Sequence, residues 1–130
     1  MVRKVYEALA PTLGESNFPT TRRSRVVQGD PFFRMKEVPG EANSETHVSV
    51  LSTLGKLSLY QLVPLTGKKH QLRLHLAALG IPVVNDKFYP ALTPSADDDF
   101  SRPLKLLAKS ISFQDPLTGR QHYFESSTTL

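Results

Sequence analysis

The chain has 130 residues, 39% of them hydrophobic, and carries 16 basic against 12 acidic side chains for a net charge of +4, with a pI near 9.5. That length supplies one domain with one core, and the positive bias favours a polyanionic partner. The lack of cysteine excludes disulfide frameworks and thiolate metal sites, no apolar run approaches the roughly 20 residues that span a bilayer, and no apolar signal core is present, so a soluble, cytoplasmic protein is expected.

Val2 to Ala10 reads as a short strand ended by Pro11, whose missing N–H and fixed φ discourage further pairing. Residues 11–43 mix Pro, Gly, Ser and Arg without a sustained period, which suggests an irregular excursion holding the basic cluster Arg22, Arg23, Ser24 and Arg25. From Glu45 to Ser52 and from Leu57 to Leu65 the apolar residues fall near period two, with Leu54, Gly55 and Lys56 between them, so a β-hairpin is predicted. Lys69 to Leu79 reads as a helix: Leu72, Leu76 and Leu79 share a stripe, Thr66 stands near an N-cap position, and Gly80 with Pro82 supplies the stop. Tyr89 to Pro103, with its prolines and Asp97, Asp98 and Asp99, is expected to be a solvated loop. Leu104 to Phe113 and Gln121 to Glu125 then read as strands joined by a tight turn over Asp115, Pro116, Leu117, Thr118 and Gly119. The expected fold is α+β: a mixed, mostly antiparallel sheet with one principal helix.

Helical spacing places Lys69, His70, Arg73 and Ala77 on one face, away from the leucines. With Thr66, Gly67 and Lys68 at the helix start, unpaired N–H groups and the positive end of the dipole make an anion site for phosphate or carboxylate. The blander reading is a solvated helix face on which His70 and His75 hydrogen-bond locally. A Walker-type loop shares only Gly67 and Lys68 and is rejected. A zinc site on His70 and His75 fails because five residues of helix turn the rings to different faces and no Cys completes the set, so no metal is expected. The acidic triplet reads as loop rather than as a paired-carboxylate hydrolase site, and no serine sits in a nucleophile elbow.

The run Leu65-Thr66-Gly67-Lys68-Lys69-His70-Gln71-Leu72-Arg73-Leu74-His75-Leu76, followed by Gly80-Ile81-Pro82 and Asp86-Lys87-Phe88-Tyr89, resembles the C-terminal catalytic motif of the RluA-type RNA pseudouridine synthases. The resemblance extends from Lys4 to Ser126 and is strongest from Leu62 to Tyr89. It implies that residues 1–130 are the C-terminal portion of such a catalytic domain. The family's catalytic aspartate lies in a His-Arg-Leu-Asp segment that does not occur in these 130 residues, so the chain alone is expected to be inactive. The implied reaction is a cofactor-free isomerisation of uridine to pseudouridine in structured RNA, rRNA or tRNA, by the complete protein.

The resemblance also implies roles. Arg73 would ion-pair with the catalytic aspartate, holding it ionised. Tyr6 would stack on the uracil and help remove its C5 proton, and Leu106 or Leu107 would line the base pocket. Lys68, Lys69, His70, Gln71, Arg22, Arg23 and Arg25 are the expected RNA contacts. Four positions depart from the family pattern: Lys68 stands where Arg is usual, Asn85 and Pro90 where Gly is, and Leu107 where His is common. Asn takes the left-handed backbone of a replaced Gly at small cost. Asp86 matches a family loop residue and is not a candidate nucleophile. A buried Arg73 without its carboxylate would be a defect of roughly 3–5 kcal/mol, so either it is open to solvent or its partner lies outside the chain. Two rivals remain: a non-catalytic RNA-binding remnant of the same fold, and a phosphate-recognising module unrelated to RNA.

Overall fold

The computed structural model describes residues 2–29, 34–90 and 103–130. Its elements are β1 (Val2–Pro11), β2 (Thr20–Gln28), β3 (Met35–Val38), β4 (Ser44–Leu54), β5 (Leu57–Pro64), α1 (Gln71–Ala78), β6 (Leu106–Gln114) and β7 (Gln121–Glu125), with a 3-10 turn at Glu15–Asn17. The strands form one seven-stranded sheet in the order β3-β2-β4-β5-β1-β6-β7, and each pairing in it is antiparallel. The α+β architecture with one principal helix is therefore as expected. Both predicted hairpins are present, with Gly55 and Gly119 at positive φ in their turns.

The predicted irregular excursion over residues 11–43 is corrected: it contains β2 and β3. The inward positions of β2 are Thr20, Arg22, Ser24 and Val26, so its period of two is carried mostly by polar groups and leaves no apolar signature. The loop expected from Tyr89 to Pro103 falls largely on residues 91–102, outside the described residues.

One face of the sheet is covered by α1. Ala8 and Ala10 of β1, Val48 of β4 and Tyr60 and Leu62 of β5 form a core with Leu72 and Leu76 of α1 and with Ile81 and Val83. The register places Ala8 opposite Tyr60 and Tyr6 opposite Leu62, so Tyr6 follows the core along the same face.

The helix starts at Gln71 rather than Lys69, and Thr66 is not its cap. His70 occupies the N-cap with a left-handed backbone and no side-chain capping bond. Gln71 does part of that work instead, its Oε1 accepting from the Thr66 hydroxyl (2.6 Å) and the Lys68 N–H (3.1 Å). At the other end Gly80, at φ 86°, donates to the Ala77 carbonyl and Ile81 donates to that of Leu76, the paired bonds of a Schellman stop.

His75 is fully buried. Its Nδ1 lies 2.8 Å from the Thr46 hydroxyl and its Nε2 3.0 and 3.1 Å from the hydroxyls of Ser24 and Ser44. Ser44 gives its own proton to the Ser24 carbonyl, so its oxygen accepts from His75 Nε2–H. Burial lowers the His75 pKa to about 4, with the Arg22 charge adding to it and the Glu37 charge opposing it.

The loop after α1 is tied to the helix by an ion pair. Arg73 donates from Nε (3.0 Å) and Nη2 (2.7 Å) to the carboxylate of Asp86, whose side chain is 1% exposed. Asp86 Oδ1 also accepts the N–H groups of Phe88 and Tyr89, and the guanidinium lies 4.8 Å from the Phe88 ring centroid. Asn85 adopts the left-handed conformation, φ 67°, as its replacement of Gly suggested. The expectation that Arg73 is either open to solvent or has its partner outside the chain is corrected, because its side chain is only 15% exposed and is paired with Asp86.

Two predictions follow from these buried groups. The folded protein keeps His75 neutral while the unfolded chain takes up a proton near pH 6.5, so the stabilisation is complete above that pH and falls as pH drops toward 4. Urea unfolding at pH 7 and pH 5 should differ by about 2 kcal/mol through this group, a slope that His75→Gln removes. For the ion pair, Arg73→Ala and Asp86→Ala should each destabilise by about 3–5 kcal/mol, since each strands a buried charge. The double variant should lose less than the sum by at least about 1 kcal/mol in a urea double-mutant cycle.

Candidate active site

The alternation of β1 turns Lys4 and Tyr6 to the side of the sheet that carries α1, and a register irregularity against β6 falls between Val5 and Tyr6. Bulges of this kind re-aim side chains. Beside Tyr6, β6 brings in Leu106. Facing them stand residues 64–68 and the first turn of α1, with His70, Gln71 and Arg73. Together these residues enclose a cleft of about 540 Å³, within the range of about 300–1,000 Å³ typical of small-molecule sites.

The cleft joins an aromatic ring, an aliphatic wall and positive charge. Lys4, Lys68 and Arg73 supply the cations. His70 is pushed below its ordinary pKa by burial and by the charges of Arg73 and Lys69, with Asp86 opposing, which favours its neutral form at pH 7. Its Nδ1 lies 2.9 Å from the Tyr89 hydroxyl, which accepts the Met35 N–H at 2.7 Å. The Tyr89 proton therefore goes to Nδ1, and His70 carries its own proton on Nε2. Burial raises the Tyr89 phenol and keeps that donor in place.

Of the residues to which the resemblance assigns a catalytic, base-pocket or RNA-contact role, Tyr6, Lys68, His70, Gln71, Arg73 and Leu106 meet in this cleft. The others do not. Leu107 pairs with Glu7 while Leu106 pairs with Ala8, so Leu107 emerges on the opposite face of the sheet. Lys69 is exposed just ahead of the helix and does not line the cleft. Gln71 reaches the cleft wall but is an internal brace: besides its Oε1 bonds, its Nε2 donates to the Glu45 carbonyl (3.0 Å) and to Thr46 (2.9 Å).

The arginine cluster is split by the pleat of β2. Arg22, on the helix side, pairs with Glu37 at 2.6 Å, which raises its pKa. Burial alone would raise the Glu37 carboxyl, yet hydrogen bonds from Arg22 and Ser24 and the Arg22 charge hold it below the usual range. Arg23, on the other side, pairs with Glu45 at 2.6 Å. Arg25 is exposed and reaches the Glu41 carbonyl at 3.5 Å. Lys4 and the Asp86 brace were not singled out beforehand. Lys4 was legible, being two residues from Tyr6 on a strand, whereas Asp86 is thirteen residues from Arg73 and only the fold joins them. Among the described residues no group of three or more His, Cys, Asp or Glu could hold a metal ion, and no helix is long and apolar enough to cross a membrane.

Known proteins resemble this chain in sequence and in fold. A dual-specificity RNA pseudouridine synthase RluA from Haemophilus ducreyi is 36% identical over 119 residues, covering 89% of this chain and 50% of that protein. An uncharacterised RNA pseudouridine synthase from Chloroflexus aurantiacus is 37% identical over 92 residues, 68% of this chain and 28% of that one. Among solved structures, human RNA pseudouridylate synthase domain containing 1 superposes with a TM-score of 0.75 at 26% identity, over 98% of this chain and 55% of the human one. Human RNA pseudouridylate synthase domain containing 4 shares the fold, with a TM-score of 0.71 at 21% identity. The chain thus spans between about a quarter and a half of the length of these curated relatives. The sequence profile described as RNA pseudouridylate synthase matches residues 1–78, more than half of the chain, and the chain belongs to that family.

Proposed function

We propose that residues 1–130 are the C-terminal portion of an RNA pseudouridine synthase catalytic domain, and that the cleft between β1, β6 and α1 receives a uridine flipped out of structured RNA. The observation that carries this reading is the convergence of Tyr6, Arg73 and Leu106, from three separate elements, on one cleft. In this reading the uracil stacks on the Tyr6 ring against Leu106. A carboxylate from outside these residues assists cleavage of the N1–C1′ bond, the base turns, C5 joins C1′, and the C5 proton leaves with help from the Tyr6 phenolic oxygen. Arg73 keeps that carboxylate ionised. Asp86 supports the same task from behind, occupying Nε and Nη2 of the guanidinium and fixing its orientation.

No cofactor enters this chemistry. Flipping a base costs a few kcal/mol of stacking, so loops and ends of rRNA or tRNA in the cytoplasm are the substrates this reading favours. Lys68 and Lys4 are the phosphate contacts nearest the base. Lys69 and Arg25, exposed outside the cleft, contact the RNA further from it.

The test is tritium release from single-stranded RNA labelled at uridine C5. The 130-residue chain alone should bind this RNA without releasing tritium, and should release it when supplied with a relative's His-Arg-Leu-Asp segment. Release by the chain alone that Arg73→Ala abolishes would sink the assignment of the carboxylate to another segment. In the reconstituted enzyme Tyr6→Phe should slow release by at least about a hundredfold, the scale of a positioned proton acceptor, while leaving RNA affinity within about twofold. Lys68→Ala should lower the slope of log affinity against log salt by about 0.7, the loss of one phosphate contact on a single strand.

A further inference from the structure

The sheet face that floors the Tyr6 cleft continues past α1 onto β6 and β7. Directly paired residues of antiparallel strands point to the same side, and the register runs from Lys4 to Ile111 to Phe124 and from Val2 to Phe113 to His122. Lys4, Tyr6, Ile111, Phe113, His122 and Phe124 thus share one surface. Its rings lie nearly parallel: Phe113 and His122 have centroids 5.0 Å apart at 19°, and Phe113 and Phe124 6.3 Å apart at 22°. Phe124 is 58% exposed. A second cleft of about 360 Å³ shares Lys4 and Tyr6 with the first and runs to Phe124 past Lys109, with Glu125 at its rim.

A row of rings stacked across adjacent strands, with Phe124 exposed and Phe113 and His122 half-buried behind it, bordered by lysines and opening into the cleft that takes the uridine, has the chemistry of a base-stacking surface. Every base has a π-face, so such a row holds single-stranded RNA without reading its sequence. What favours RNA over a polypeptide cover is continuity: this face shares Lys4 and Tyr6 with the uridine cleft, so a strand entering that cleft passes over it. We propose that the exposed Phe124 ring, backed by the stacked Phe113 and His122, stacks an unpaired base adjoining the target uridine, with Lys4 on the phosphate at the junction of the two clefts. This rests on the RNA reading above and extends it to the nucleotides outside the cleft.

The experiment is fluorescence anisotropy of the 130-residue chain with a short single-stranded RNA containing one uridine flanked by 2-aminopurine. Phe124→Ala should weaken binding about tenfold, the scale of one lost stacking contact, with the salt slope unchanged. Phe124→Leu, which keeps apolar bulk, should weaken it as much, and Phe124→Tyr, which keeps the ring, should restore it. The 2-aminopurine signal should be quenched by the wild type and not by Phe124→Leu. Should Phe124→Ala disturb the fold by circular dichroism, Phe124→Leu and His122→Ala decide. RNA bound by the wild type with an affinity indifferent to Phe124 overturns the platform alone. Affinity lost in Phe124→Ala but kept in Phe124→Leu overturns it in favour of an apolar, polypeptide contact, and a wild-type chain that binds no RNA overturns both this inference and the RNA reading.

Discussion

Thr46 is where helix and sheet are joined. Its hydroxyl meets Gln71 Nε2 at 2.9 Å and His75 Nδ1 at 2.8 Å, two side chains one turn apart on the inward face of α1. An eight-residue helix has little stability of its own, and this one lacks a side-chain N-cap. Burial of Leu72 and Leu76 holds it against the sheet, but apolar contact is non-directional. The Thr46 bonds set its rotation and its position along β4. Once those are set, His70 and Arg73, three residues apart and off the buried stripe, can only face the cleft.

The charge of the protein is arranged to the same end. Glu37, Glu45 and Asp86 engage Arg22, Arg23 and Arg73. Lys4 and Lys68 line the cleft and have no ion pair among the described residues. A net charge of +4 is therefore more concentrated around Tyr6 than its spread along the chain suggests. Arg73 differs from those lysines: its planar fork is oriented by Asp86 and by the Phe88 ring, so it meets an incoming anion without reorganising.

Where apolar side chains carry the pattern, the sequence was readable. The β4–β5 and β6–β7 hairpins alternate visibly and have glycine in their turns, Gly80 marks the end of α1, and Asn85 stands where a left-handed backbone is needed. β2 was unreadable for the opposite reason. Arg22 and Ser24 point inward to Glu37 and His75, and a polar inward face looks like loop until its partners are known. The Gln71 amide is a similar case, since a glutamine in a basic run suggests a ligand contact and only the fold shows its four hydrogen bonds.

The sequence by itself determined the chemistry-bearing residue types, their grouping in the run from Leu65 to Leu76, and the resemblance that singled out Tyr6 and Arg73, because these are properties of spacing along the chain. Only the tertiary structure decided which of them meet. Leu106 and Leu107 are neighbours in sequence, yet the pleat sends them to opposite faces, and the choice between them depends on a register set by β1. Arg22 and Arg23 are parted in the same way. The pairing of Arg73 with Asp86 spans a helix end and a turn, so it exists only once α1 has stopped at Gly80 and the chain has folded back at Asn85.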